Sequence, residues 1–278
     1  MNARAYFAKL GRAAWVPWVF RWCARVEQVA WDEVAGDPSA AAYVLRSGQQ
    51  LLGTDAVLSW FDTALEAESC GARVERDSSG VPLRVEPPAG PLPGPEEAVQ
   101  RSPLRVAVEV AARLAAEMRG RTPVVGYLTG PATLARWLAG SQAGDHVDYA
   151  RALLAAVARR YCDAGVGALL VAEEEWGDRD RVRPGLQDVA NLAAYYDVPV
   201  WVLGRITPPP DVQAELHGLG LATIPGDPFA VVPVTELGAA TLSHFPALGS
   251  GTVVTTSWEV PPDAPPESLL RLAQALNP

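Results

Sequence analysis

Short apolar runs alternate along this chain with longer stretches of helical periodicity. The runs of strand character are Trp15–Phe20, Ala56–Phe61, Val124–Leu128, Ala168–Ala172, Val198–Leu203, Leu221–Ile224, Ala230–Val234 and Thr252–Thr255. Apolar residues at helical spacing predict helices over Ser39–Leu52, Glu96–Arg119, Tyr149–Ala164, Gly185–Tyr196 and Ser268–Leu276. The second of these is interrupted at Pro103, because proline lacks the N–H that a helix interior needs. Alternating strand and helix predict an α/β fold with a parallel sheet and helices outside it. Eight candidate strands fit a (β/α)8 barrel. Two strands crowd around Pro225–Pro228, which predicts a degenerate βα unit within 221–234. Val74–Asp77, the turn Ser78-Ser79-Gly80 and Pro82–Glu86 read as a β-hairpin inserted after the second strand. Pro87–Pro95 reads as a loop. No compositional break divides the chain, so one domain is expected over residues 1–278.

Charge narrows the partners. Lys and Arg number 23 and Asp and Glu number 32, a formal charge of −9. An acidic surface opposes both nucleic-acid phosphates and anionic lipid headgroups, so neither is an expected partner. Three scattered cysteines, Cys23, Cys70 and Cys162, without CxxC spacing read as a reduced, cytoplasmic protein. No Cys/His spacing suggests zinc. No GxGxxG, P-loop or GxSxG occurs. No metal or cofactor is therefore expected. The apolar run Ala13–Phe20, broken by Pro17 and followed by Arg21, is too short to span a bilayer or to serve as a signal peptide.

A (β/α)8 barrel carries its chemistry at the carboxyl ends of its strands. That places Arg21, Trp22, Arg25, Asp62, Thr129, Glu173, Glu174, Glu175, Trp176, Arg205 and Trp258 near the site. Trp60 and Trp201 fall within strands and face either in or out. The nine tryptophans favour a planar or apolar small molecule, or a cation held over aromatic faces. Arg21 and Arg25, four apart, share a face on a helical turn and are either a carboxylate clamp or a surface pair. Asp62 ends an apolar strand; it is either a general acid or cation stabiliser, or the cap of a following helix. Glu173–Glu175 are catalytic groups or a solvated loop. Trp137 and Trp258 are pocket walls or core. Gly130-Pro131 suits a tight strand-to-helix turn.

Three segments together carry a family resemblance. Leu52–Asp62 with Glu66–Val74, Gly126–Gly140, and Ser257–Glu267 resemble, in order, the second-strand segment with its "ALG" sequel, the "GxPxTL" element and the "PxxTPxEN" run of the uroporphyrinogen decarboxylase superfamily of TIM barrels. The family's first-strand run PVWFMRQAGRY overlays Val16–Val26 without gaps, placing its two arginines on Arg21 and Arg25. The family's essential aspartate falls on Asp62. Its tyrosine is replaced by Trp137, its histidine by Trp258, and its Asp-Ser pair by Glu174-Glu175. The inserted hairpin is also similar to one the family has.

The resemblance implies a carbon–carbon lyase without a cofactor, in which Arg21 and Arg25 bind a carboxylate and Asp62 manages the proton. Trp22, Trp60, Trp137, Glu173, Glu174, Glu175, Trp176 and Trp258 are the expected substrate contacts. The lost phenol and imidazole, with three glutamates that would repel a polycarboxylate, point to a small-molecule carboxylate other than uroporphyrinogen. Two alternatives stand beside this. One is a methyl- or group-transferase, lacking the His-x-Cys zinc site of that branch. The other is a barrel that has lost catalysis. Relatives of this barrel are often dimers, which makes a homodimer an expectation as well.

Overall fold

The computed structural model describes residues 1–139, 146–174, 176, 179–226, 228–234, 237 and 248–276; the side chains of 179–181 are not described. The strands, in chain order, are β1 (Ala14–Trp15), β2 (Val57–Leu58), β3 (Arg73–Arg76), β4 (Pro82–Glu86), β5 (Val124–Thr129), β6 (Ala168–Glu173), β7 (Val200–Gly204), β8 (Ala222–Ile224), β9 (Phe229–Val232) and β10 (Val253–Thr256). The helices are α1 (Ala3–Phe7), α2 (Phe20–Val26), α3 (Trp31–Gly36), α4 (Pro38–Leu52), α5 (Leu65–Ser69), α6 (Pro95–Val99), α7 (Leu104–Glu117), α8 (Pro131–Ala139), α9 (Val147–Asp163), α10 (Arg179–Tyr195), α11 (Pro210–Gly218) and α12 (Pro266–Leu276).

Two parallel ladders, β2-β5-β6-β7-β8 and β9-β10-β1, form a (β/α)8 barrel. β5 and β6 are buried along their whole length, as strands covered on both faces must be. The seam between β1 and β2 is closed at one residue. The Asp55 N–H donates to Trp15 O at 2.8 Å, and the Asp55 carboxylate accepts the Trp15 N–H at 2.8 Å. Arg12 grips that carboxylate with two bonds of 2.7 and 2.9 Å. At the opposite seam β8 passes to β9 with no described helix between them, across a single bridge from Gly226 to Phe229. That is the degenerate unit.

The hairpin is present as β3 and β4, which pair only with each other. The expected helix Glu96–Arg119 is divided at Pro103 into α6 and α7. The expected first strand Trp15–Phe20 is corrected: β1 stops at Trp15, and Phe20 opens α2. Pro17 has no N–H to offer a ladder, so the chain leaves the sheet there. α10 starts six residues earlier than Gly185 and carries Pro184 within it. α4 has clear local causes: Asp37 accepts the Ser39 N–H at 2.7 Å at its start, and Gly53 ends it in the left-handed conformation.

The barrel is filled by rings. Trp201 stacks on Phe7 of α1 (5.9 Å) and meets Trp18 (6.4 Å) and Phe229 (5.4 Å). Contacts to β9, the end of β1 and the N-terminal helix show that Trp201 faces the lumen. Nearer the carboxyl ends, Phe61 meets Tyr127 and Trp258, each at 5.2 Å. No helix among the described residues is long and apolar enough to cross a membrane.

The seam makes a stability prediction. Asp55→Ala leaves the Trp15 N–H without its acceptor and frees Arg12, and is expected to cost roughly 2–3 kcal/mol. Urea unfolding of the variant beside wild type measures it.

Candidate active site

The end of β1 and the start of α2 place Arg21 at the carboxyl end of the barrel. Its backbone N–H donates to Glu259 Oε1 (2.9 Å), and its Nη1 donates to Glu259 Oε2 (2.5 Å) and to Phe61 O (2.8 Å). Nη2 stands 3.7 Å from Asp62 Oδ2. The side chain is 2 % exposed, and neither Nε nor Nη2 has a hydrogen-bond partner. Buried guanidinium N–H groups are normally satisfied. The arginine also lies over the Trp31 ring, 5.0 Å from its centroid.

Asp62 is buried, and its two oxygens have different surroundings. Oδ1 accepts the Ala64 N–H at 2.9 Å, which caps the turn into α5. Oδ2 faces two guanidiniums, Arg76 at 2.6 Å and Arg21 at 3.7 Å. Arg76 belongs to the hairpin. It also pairs with Glu68 and lies 5.8 Å from the Trp31 ring. Burial works against its charge, and Asp62 and Glu68 outweigh that, raising its pKa. Burial pushes the Glu259 carboxyl up in spite of Arg21.

A cleft of about 500 Å³ opens beside this network. Arg21, Arg25, Trp31, Ser79 of the hairpin turn and Asp263 are among its walls. Arg21 and Arg25 therefore do border one space, from one helix. Arg25 is exposed, whereas Arg21 is buried behind it.

The other expected contacts divide. Trp22 is fully buried and its indole N–H donates to Ala264 O (3.0 Å), so it pins the C-terminal segment. Trp60 packs on Phe20 (4.8 Å) and Trp31 (6.2 Å) and supports the cleft wall from behind. Trp258 stands at the barrel mouth between Phe61 and Arg205, whose guanidinium is 5.9 Å from its ring. Trp137 lies under Arg136, 4.2 Å away, on α8. Trp176 donates to Ile206 O (2.7 Å) and packs toward α10 and α11. Glu174 joins Thr63 (2.6 Å) and Arg136. Glu175 lies outside the described residues.

Glu173 is the helix cap of α8. One oxygen accepts the Ala132 N–H (3.0 Å), and the other accepts the Thr133 N–H (3.0 Å) and hydroxyl (2.7 Å). Gly130 makes room for it, since a Cβ there would lie 2.0 Å from the Glu173 carboxyl carbon. Burial pushes the Glu173 pKa up to about 7. A second buried carboxyl, Glu66, accepts the Thr129 N–H (3.0 Å) and hydroxyl (2.5 Å) and is likewise pushed up to about 7 by burial. Beside it the Tyr127 hydroxyl is fully buried without a partner; burial first, then Glu66 and Asp62, raise its pKa.

The residues that sequence reasoning passed over are Glu66, Arg76, Trp31, Tyr127 and Glu259. Glu66 and Glu259 sit inside the segments Glu66–Val74 and Ser257–Glu267 that carry the resemblance, so the signal was there. Nothing in the hairpin sequence marks Arg76 as a partner of Asp62. Among the described residues no group of three His, Cys, Asp or Glu side chains is arranged to hold a metal. All three cysteines are buried.

The family model for uroporphyrinogen decarboxylase (URO-D) matches residues 21–161, from Arg21 to Tyr161 in the last turn of α9. The chain belongs to the uroporphyrinogen decarboxylase (URO-D) family. Its fold is similar to that of a solved methyltransferase from Methanosarcina mazei. The TM-score is 0.78 at 16% identity, over 99% of this chain and 97% of that one. No curated protein matches the chain in sequence.

Two predictions follow from the buried carboxyls. Gly130→Ala drives Glu173 off the α8 start and should cost roughly 2–3 kcal/mol, read by urea unfolding. Glu66 and Glu173 hold protons in the folded state that the unfolded chain releases. Their contribution is therefore full below the ordinary glutamate value of 4.5 and is lost as pH rises through about 7. Stability to urea should fall as pH rises from 4.5 to about 7, and Glu66→Gln should flatten the fall.

Proposed function

We propose that this protein is a carbon–carbon lyase of the decarboxylase type. It acts, without a cofactor, on a small carboxylate other than uroporphyrinogen. The observation that carries the reading is Arg21, buried at a cleft wall with two unpartnered N–H-bearing nitrogens and Asp62 behind it. With exposed Arg25 on the same helix, it offers a fork for one carboxylate. A proton added to the substrate carbon creates a cation that Asp62 stabilises. The carbon–carboxylate bond then breaks, its electron pair neutralises the cation, and carbon dioxide leaves. A proton takes the vacated position on carbon and the first proton leaves, so that one proton in all replaces the carbon dioxide in the product.

Charge limits the substrate. Arg21 and Arg76 face three carboxylates, Asp62, Glu68 and Glu259. This balance supports a substrate with one or two carboxylates over one with many, since each further anion meets repulsion. The same excess of carboxylates beside Trp31 favours the second reading, transfer of a group from a methylated amine held over the ring.

The test is anaerobic incubation with uroporphyrinogen, small carboxylates and methylated amines, with mass detection of carboxyl or methyl loss. Wild type should decarboxylate a small carboxylate and leave uroporphyrinogen intact. Asp62→Asn, shown folded by circular dichroism, should lower kcat roughly 100-fold or more. Arg25→Ala should raise KM roughly tenfold with little change in kcat. Turnover of uroporphyrinogen, or an Asp62→Asn variant as active as wild type, would overturn the reading. Methyl loss in place of carboxyl loss would establish the second one.

A further inference from the structure

Arg76 holds the inserted hairpin to the barrel. β3 and β4 form a two-stranded sheet with no third strand, and such a hairpin is marginal by itself. The ladder between them shifts register between Glu75 and Arg76. The strand keeps its alternation through that point: Arg73 and Glu75 are exposed, and Val74 and Arg76 are turned inward. The Arg76 side chain is 13 % exposed.

The guanidinium has four partners. Nη1 reaches Asp62 Oδ2 at 2.6 Å and donates to Gly80 O at 3.2 Å, Nη2 pairs with Glu68, and the plane lies by the Trp31 ring. The turn follows it down. Gly80, at φ +84°, lies against Trp31 so closely that a Cβ would fall 2.1 Å from the ring. Asp77 fixes the turn by accepting from the Ser79 N–H (2.9 Å), the Ser79 hydroxyl (2.6 Å) and the Val81 N–H (3.0 Å).

Arg21 cannot take over this task. Its Nη1 is engaged by Phe61 O and Glu259, and its Nη2 stops 3.7 Å short of Asp62. Of the two guanidiniums that face the oxygen that the lyase reading puts to work, Arg76 is the nearer, as an ion pair at 2.6 Å.

We infer that Arg76 is the positioning residue for Asp62, and that the hairpin carrying it is a working part of the site. It fixes Oδ2 in one place and closes the hairpin turn over Trp31. A lysine could pair with Asp62 but could not fork between Asp62 and Glu68 or lie flat by the indole. The inference deepens the lyase reading and rests on it for the role of Asp62.

The experiment is chemical rescue with guanidinium ion as the probe. Arg76→Ala leaves a space bounded by Asp62, Glu68 and Trp31 that fits this ion. Hydrogen exchange by mass spectrometry should show the amides of residues 71–86 exchanging at least about tenfold faster in Arg76→Ala, with β6 and α9 unchanged. Guanidinium chloride in the millimolar range, but not sodium chloride, should restore the slow exchange and raise Tm saturably. Arg76→Ala with Asp62→Asn should show no rescue. Where wild type turns over a substrate, kcat of Arg76→Ala should fall with KM little changed, and guanidinium should restore it.

Unchanged hairpin exchange in Arg76→Ala, or equal rescue with and without Asp62, would overturn the inference. Should Arg76→Ala fail to fold, Arg76→Lys is read in the same way and should give exchange between wild type and Asp62→Asn. Exchange and rescue are read without turnover. An inactive wild type therefore counts against the lyase reading alone.

Discussion

One guanidinium joins three ends of the barrel. Arg21 sits where β1 gives way to α2, binds the carbonyl of Phe61 beyond β2, and grips Glu259 beyond β10. Its own backbone N–H closes the ring on Glu259. A charge so buried is costly unless it is paired and hydrogen-bonded. The surrounding chain is arranged to supply those partners: Pro17 ends β1 early, α2 starts at once, and the segment after β10 folds back to bring Glu259 in. Trp31 covers the cation and Trp60 supports Trp31.

Burial elsewhere at this end is used structurally. Glu173 and Glu66 are both fully enclosed, yet every bond they accept comes from the start of α8 or the end of β5. A carboxyl at a helix start is favourable because the first N–H groups have no partner within the helix. Burial opposes ionisation, and the two effects leave these groups near their titration points at neutral pH. These two carboxyls thus act as fasteners, whereas Asp62 Oδ2 is turned toward the guanidiniums of Arg76 and Arg21.

The hairpin supplies what the barrel strands do not. Asp62 has one oxygen engaged by the chain at Ala64, and its other oxygen meets a residue fourteen positions onward. That contact makes an insertion part of the wall of the site. The mouth has two aromatic walls, Trp31 with Arg21 and Arg76, and Trp258 with Phe61 and Arg205. Each ring is thus flanked by guanidinium.

Periodicity alone determined most of the fold. The eight strands, the hairpin and the crowded unit at 221–234 follow from apolar spacing and from Pro and Gly, because those signals are local. The first strand was overrun to Phe20 because Trp15–Phe20 is apolar throughout, and apolarity does not separate a strand from the start of a buried helix. Arg21, Arg25 and Asp62 were legible through their place at strand ends and through the family resemblance. Arg76, Glu259 and the capping role of Glu173 were not. Each depends on partners 14, 238 or about 40 residues away, and a charged residue looks the same in sequence whether it is solvated or clamped. Sequence set which segments become strands and helices; only closure of the barrel decided which charges meet, because pairing is a property of distance in space and not of spacing along the chain.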